Sequence, residues 1–393
     1  MAPSPDRDIR LLFPLPLATI ASQSSMASIP PLFVGMSKDF DVTIGQVGQV
    51  RSISALTAVL ATLAVGGWIH KRGARPVMLI GGLLGALGAL LSALSPDLAT
   101  FGVGQAVTGI GICFLLSSGF AGAGEFFAPE ARDWAIGWVV ALQSLAWIIG
   151  VPIVGFLAEA FSWQYGFAVP MFFCLVAAGS AMLFAPKLDP HIRAQDERTG
   201  LLAALTDRGG RRWTIGEMLA FAVWTAEITY IAAFYSEEFG LSEAMVGLLL
   251  PLGSLAFMVG SSTAARAGQK WPRRLLLIGS TLAMGIIAAA LFNFYPFLLF
   301  TLVLAVAMGI AAGLRAAGSS TLALDQLPDK PGAMMAARTG AVQIGYLIGA
   351  SVGGLIVDAS GYGGLGAFMV IGMAASALVM SGVPARDESE PTA

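Results

Sequence analysis

Apolar runs long enough to cross a bilayer as a helix, about 20 residues, follow one another along this chain between charged or Pro/Gly-rich breaks. They fall near residues 11–36, 44–69, 77–95, 98–122, 134–158 and 163–185, and resume near 214–235, 243–265, 275–294, 297–321, 335–357 and 362–382. The pattern predicts an all-α membrane protein of twelve transmembrane helices, six plus six. The longest non-apolar stretch, 186–213, is expected to be a linker between an N-terminal six-helix bundle over 1–185 and a C-terminal one over 214–393. The second bundle ends in a short acidic tail, Arg386-Asp-Glu-Ser-Glu390. A short turn, Phe292-Asn-Phe-Tyr-Pro296, divides spans nine and ten and is the weakest of the breaks.

The halves repeat in more than apolarity. A basic, Gly-punctuated turn, Arg72-Gly-Ala-Arg-Pro-Val-Met-Leu-Ile-Gly81, returns 198 residues later as Lys270-Trp-Pro-Arg-Arg-Leu-Leu-Leu-Ile-Gly279. Gly150, Gly155, Glu159 and Trp163 correspond, at an offset of 199, to Gly349, Gly354, Asp358 and Tyr362. Glu125 and Pro129 at the end of span four match Asp325 and Pro328 at the end of span ten. Small and acidic residues in register imply one membrane unit built twice, as in many secondary transporters.

Composition agrees and narrows the class. Apolar residues make up 56% of the chain and charged ones 12%, with a mean hydropathy of +0.78; soluble domains carry about twice that charged fraction. A net charge of −2 and the lack of a basic stripe argue against nucleic acid. Of the 22 Lys and Arg residues, nineteen fall on the side that holds the N-terminus, and Lys38 alone on the other side. By the positive-inside bias this predicts a multi-pass protein of a bacterial-type inner membrane with both termini cytoplasmic. The first apolar stretch is longer than the roughly 7–15 residues of a secretory signal and reads as a retained helix. No Gly-Lys-Ser/Thr phosphate loop occurs, His70 and His191 both sit in loops, and Cys113 and Cys174 lie inside apolar spans. No cofactor, metal site or catalytic set is expected, and the chain does not read as an enzyme.

Charge inside a bilayer is costly, so each instance asks for a reason. Arg51 in span two, Glu227 in span seven and Arg315 in span ten stand out, and Glu227 is nearest the middle of its span. Glu227 reads as a coupling or substrate-facing group, or else as half of a structural ion pair with Arg315; Arg51 has the further option of snorkelling to the outer interface. Gln23, inside Ser22-Gln-Ser-Ser25 of span one, satisfies its amide less easily along its own helix than a serine does and is expected to face a polar cavity. The repeat-related Gln143 and Gln343 are candidates for the same role, with Trp147, Trp224 and Tyr230 as apolar lining. Gly81, Gly85 and Gly88 read as close helix contacts.

With these residues in hand, the chain resembles the major facilitator superfamily, and within it the twelve-helix drug:proton antiporter-like group, over about residues 10–385. The turn after span two carries Gly66, Lys71, Arg72, Gly73 and Arg75 in or next to the family's G-x-L-A-D-R-x-G-R-R pattern, with His70 where the family has aspartate. Span five has Gly150-Val-Pro152-Ile-Val-Gly155-Phe156 against the family's G-P-x-x-G-G, with one residue inserted between Gly and Pro. Phe161-Ser-Trp-Gln-Tyr-Gly-Phe167 is similar to the S-W-R-x-x-F that opens helix six. The family's buried arginine early in helix four is replaced by Gln105. The resemblance implies alternating access by two bundles, a cavity lined by helices 1, 4, 7 and 10, and gating or lobe contacts at the span two–three turn and at Gly150, Pro152, Gly155, Gly349 and Gly354. The expected function is secondary active transport, as proton-coupled efflux of a small amphipathic organic molecule by a monomer. Two alternatives stay open: an organic-anion carrier or importer using Arg315 and Arg51, and a non-transporting membrane sensor or embedded enzyme.

Overall fold

The computed structural model describes residues 7–187, 204–327 and 331–384. The acidic tail and most of the linker, with His191, Arg193 and Arg198, lie outside the described residues, as do Lys330 and the side chains of His70, Arg266, Lys270 and Arg273.

The described chain is helical almost throughout. Helix α1 runs Pro14–Ala27 and continues through a 3-10 turn, Pro30–Leu32, into Phe33–Phe40. The interruption comes from Pro30 and Pro31, which bring no N–H to the helix ladder. There follow α2 (Ile44–Arg72), α3 (Ala74–Ala93) and α4 (Leu98–Phe126). Helix α5 comprises Pro129–Gln143, a π turn at Ala146–Gly150, and Val151–Ala160. Helix α6 is Ala168–Phe184, α7 Arg208–Phe239, α8 Glu243–Lys270, α9 Arg273–Asn293 and α10 Leu298–Gln326. Helices α11 and α12 share the stretch Pro331–Ser381 and meet at Gly361, whose φ of 65° and ψ of −168° only glycine adopts without strain. Nine helical stretches among the described residues are apolar and long enough to span a membrane. The last of them, Ala337–Ser381, holds two passes, and α1 and α2 complete the twelve.

Local signals explain several boundaries. Thr43 and Gln46 form a reciprocal capping box at the start of α2, with hydrogen bonds of 3.1 and 2.9 Å. Helix α2 ends at Gly73, where φ is 82°. The Asp97 carboxylate accepts the Thr100 N–H at 2.7 Å at the start of α4, and that bond holds its carboxyl below the usual aspartate range. The extra residue between Gly150 and Pro152, Val151, directly follows the π turn of α5, a form seen where a helix takes up a one-residue insertion without breaking.

Contacts divide the chain into two compact units: Met1–Gln195 with Tyr230–Pro251, and Asp196–Thr229 with Leu252–Ala393. In the first, α3 packs on α4 and α6, and α2 and α1 pack on α4. The glycines make this possible: a Cβ on Gly81 would stand 2.7 Å from Phe114, and one on Gly82 2.6 Å from the Cys174 carbonyl. In the second, α9 packs on α10 and on the α11–α12 stretch, with Gly285 against Met369 and Met373.

The sequence repeat survives in three dimensions. Gly109 of α4 sits on the Ser54 carbonyl of α2; two hundred positions on, Gly309 of α10 sits on the Gly253 carbonyl of α8. Thr62 and Cys113 touch at 3.3 Å, and their counterparts Ser261 and Gly313 form the matching contact.

Candidate functional site

Two of the carboxylates on helix α7, Glu227 and Glu217, stand in opposite circumstances. From Ala220 to Tyr235 every residue is buried except Trp224, Glu227 and Ile228. These are spaced i, i+3, i+4 and therefore share one face. The strip is thus the only part of this stretch that protein leaves partly exposed, and Glu227 stands in its middle. Among the described residues no hydrogen bond or ion pair to Glu227 is formed. Trp224 lies flat on Phe257 of α8, ring centroids 5.7 Å apart and planes 8° apart, and edge-on to Phe221 at 5.4 Å. Those contacts lock the indole one turn from the carboxylate.

Ten residues earlier on α7, Glu217 is completely buried and paired. Its Oε2 accepts Arg315 Nη2 at 2.7 Å and the Ser319 hydroxyl at 2.7 Å. Arg338 of α11 stands 3.9 Å from Oε1. The Trp213 indole N–H closes the group by donating to Ser319, at 3.0 Å to its carbonyl and 3.1 Å to its hydroxyl. The partner of Arg315 is therefore Glu217, not Glu227, because side chains ten positions apart on α7 lie about 15 Å apart along the axis. Arg338, one of the nineteen basic residues that the sequence assigns to the N-terminal side of the membrane, stands at the edge of this buried group. Glu217 drew no notice in the sequence. The available signal was Arg315-x-x-x-Ser319, an i, i+4 pair of donors on one face of α10 that calls for an acceptor opposite.

Helix α1 offers a milder counterpart. Between Pro14 and Phe33 only Leu17, Gln23 and Met26 escape burial. Gln23 Oε1 accepts the Trp147 indole N–H at 3.1 Å, so the two residues form one unit. Trp147 belongs to the π turn of α5, which makes the inserted residue part of this arrangement. Arg51 is buried, and its Nη2 donates to the Met26 carbonyl at 3.1 Å, near the C-terminal end of the first α1 segment. That is a favourable place for a cation at the negative end of a helix dipole; the guanidinium points inward rather than to the membrane surface. Gln105 is buried and donates to Ser92 of α3 at 3.1 Å. Gln143 is half-buried at the end of its helix segment and Gln343 is buried in α11. Tyr230 is fully buried, its hydroxyl against Gly48 of α2 and its ring 5.9 Å from Phe33. It seals a helix contact and does not line open space.

Among the gating candidates, Lys71 and Arg72 are exposed, and Arg72 lies over the Trp68 ring at 5.3 Å. Arg75 donates to the Met182 carbonyl of α6 at 2.9 Å. The first N–H of α3, on Ala74, is taken by Glu125 of α4 at 2.8 Å, so the turn is bound to two neighbouring helices. Gly66 and Pro152 are half-buried. The repeat-related glycines differ from one another. A Cβ on Gly155 would collide with the Glu243 carbonyl, and one on Gly349 with the Ala222 carbonyl. A Cβ on Gly150 would meet nothing closer than 3.9 Å. The close approach expected at Gly150 is therefore absent, because the π turn carries the backbone away from its neighbours there. Gly354 is buried.

Known proteins match this architecture. The family model of the Major Facilitator Superfamily matches residues 15–234 and 213–393. The putative transporter AraJ of Escherichia coli strain K12 is 24% identical over 316 residues, covering 78% of each chain. The multidrug transporter MdfA of Edwardsiella ictaluri is 28% identical over 364 residues, covering 87% of this chain and 86% of its own. The crystal structure of a D-xylose-proton symporter superposes with a TM-score of 0.77 at 15% identity, over 98% of this chain and 99% of the other. Twelve helices in two repeated halves, with a family model matched over nearly the whole length, have one meaning: the chain belongs to the major facilitator superfamily and is a membrane-embedded secondary transporter.

Proposed function

We propose that the protein exports a small amphipathic organic molecule in exchange for protons, with Glu227 as the coupling carboxylate. The observation that carries this reading is the partly exposed strip of α7. A titratable group without a partner among the described residues stands there, in the 220–235 stretch of α7 that is otherwise buried. A lone charge inside a membrane helix asks for a reason, and with no ion-pair partner this carboxylate is free to exchange a proton when substrate arrives. Trp224 and Phe257, stacked one turn from Glu227, supply aromatic surface for an amphipathic guest. The name of the multidrug relative points the same way. The protein works as a monomer in a cell inner membrane with both termini cytoplasmic, the orientation set by the Lys/Arg bias.

The organic-anion reading draws less support. Arg315 is held by Glu217 and Arg51 is engaged with α1, so neither guanidinium is offered to a ligand.

The test is Glu227→Gln, which keeps shape and hydrogen bonding but removes the titration. In reconstituted vesicles it should reduce substrate movement driven by a pH gradient at least tenfold. Substrate exchange without a gradient, which needs no net proton movement, should continue. Full gradient-driven transport by the variant refutes the coupling role.

A further inference from the structure

The segment Tyr230–Pro251, comprising the end of α7 and the start of α8, packs in one compact unit with α1–α6. Its junction with α5 is made largely of backbone. Gly155 lies on the Glu243 carbonyl, and a Cβ on Gly247 would stand 3.0 Å from the Val151 carbonyl and 3.2 Å from the Gly155 Cα. Beside this crossing, the exposed carboxylate of Glu159 at the end of α5 accepts the Ala244 N–H of the first turn of α8 at 3.0 Å, and Ser242 bonds the same carboxylate. The free N–H groups of a helix start carry partial positive charge, and a carboxylate placed there is held more firmly than a neutral acceptor.

Glu243 acts in the opposite sense. Its Oε1 lies against Gly35 of α1, where a Cβ would come within 2.7 Å. It feels two like charges, Glu159 and Asp39, and one opposite charge, Lys38. Asp39 is itself tied to the Trp163 indole at 2.6 Å. One carboxylate therefore fastens the start of α8 to α5, and its neighbour pushes against that closure.

We propose that Glu159 and Glu243 form a charge-balanced latch on the outer junction of α5 and α8, Glu159 holding the outer side closed and Glu243 easing its release. Both are positioning residues for the transport cycle, acting through the helix start and not on substrate. Alternating access opens the outer side once per cycle, so the balance between the two sets how readily the closed form gives way. The inference rests on the orientation proposed above but is independent of the role of Glu227.

The experiment follows Val246, which is fully buried beside this junction. Val246→Cys is labelled in whole cells with a membrane-impermeant maleimide, and its rate is divided by that of Phe294→Cys, an exposed position between α9 and α10. Glu159→Gln should raise the normalised rate at least threefold, Glu159→Asp should stay near the parent, and Glu243→Gln should lower the rate. Gly247→Ala, which wedges the backbone contact directly, should raise it regardless of the charges. An unchanged rate in Glu159→Gln overturns the latch, and so does an equal rise in both carboxylate variants, which would signify general loosening. Failure of Phe294→Cys to label places this junction on the inner side and overturns the outer latch, leaving the role of Glu227 untouched.

Discussion

One helix crossing occurs twice in this molecule with opposite chemistry. In the first half, Leu115 and Gly119 of α4 meet α1, where a Cβ on Gly119 would stand 2.8 Å from Thr19 and 3.1 Å from the Leu15 carbonyl. In the second half the positions two hundred residues on are Arg315 and Ser319 of α10, and they meet Glu217 of α7. The first crossing is free of charge; the second is a buried ion pair. The fold thus does not need charge at this point. A buried pair adds little stability compared with a well-packed apolar substitute, yet breaking it by removing one partner is severe. Glu217 is therefore an internal fixture of the second half, while Glu227, farther along α7 and without a partner among the described residues, is the carboxylate to which we assign the proposed coupling role.

The largest expected effect follows from that asymmetry. Arg315→Ala strands a buried carboxylate and should cost about 3–5 kcal/mol, seen as a collapse in detergent-extracted yield and melting temperature. The double variant Glu217→Leu, Arg315→Met copies the uncharged chemistry of the first half and should recover most of the loss. If the double variant is as damaged as the single one, the two crossings are not equivalent.

A smaller contrast lies in the repeat-related glycines. Gly155→Ala forces a methyl group onto a carbonyl and should cost roughly 1–3 kcal/mol of packing strain, with transport falling accordingly. Gly150→Ala should be nearly silent, because the π turn leaves room there. Equal damage at both positions, measured by melting temperature and uptake, contradicts the difference between them.

The mildest change is expected on the α1–α5 contact. Trp147→Phe removes one hydrogen bond to Gln23 and should lower stability by about 1 kcal/mol, with a modest rise in the KM for substrate and little change in maximal rate. A large loss of maximal rate instead would make Trp147 part of the moving machinery.

What the sequence disclosed divides along physical lines. Span number, the repeat and the small-residue crossings of α3 were legible, because hydrophobic length and helical spacing are local properties. Helix rotation is not local, and it decides which carboxylate of α7 meets Arg315; only the fold brings Glu217, Ser319 and Arg338 together. The inserted residue near Pro152 was visible in the sequence. Its consequence was not: a π turn that frees Gly150 from close contact and places Trp147 on Gln23. Tyr230 likewise reads as lining in a one-dimensional pattern, and becomes a seal only when Gly48 is found against its hydroxyl.

The division of labour between the two carboxylates is tested most directly by measuring Glu227→Gln and Glu217→Gln side by side, each for melting temperature and for transport driven by a pH gradient. Glu227→Gln should keep the parent melting temperature and lose gradient-driven transport, whereas Glu217→Gln should lose melting temperature and retain the pH dependence of whatever activity survives. Destabilisation by Glu227→Gln with its coupling intact, or loss of coupling in a fully stable Glu217→Gln, would contradict that assignment.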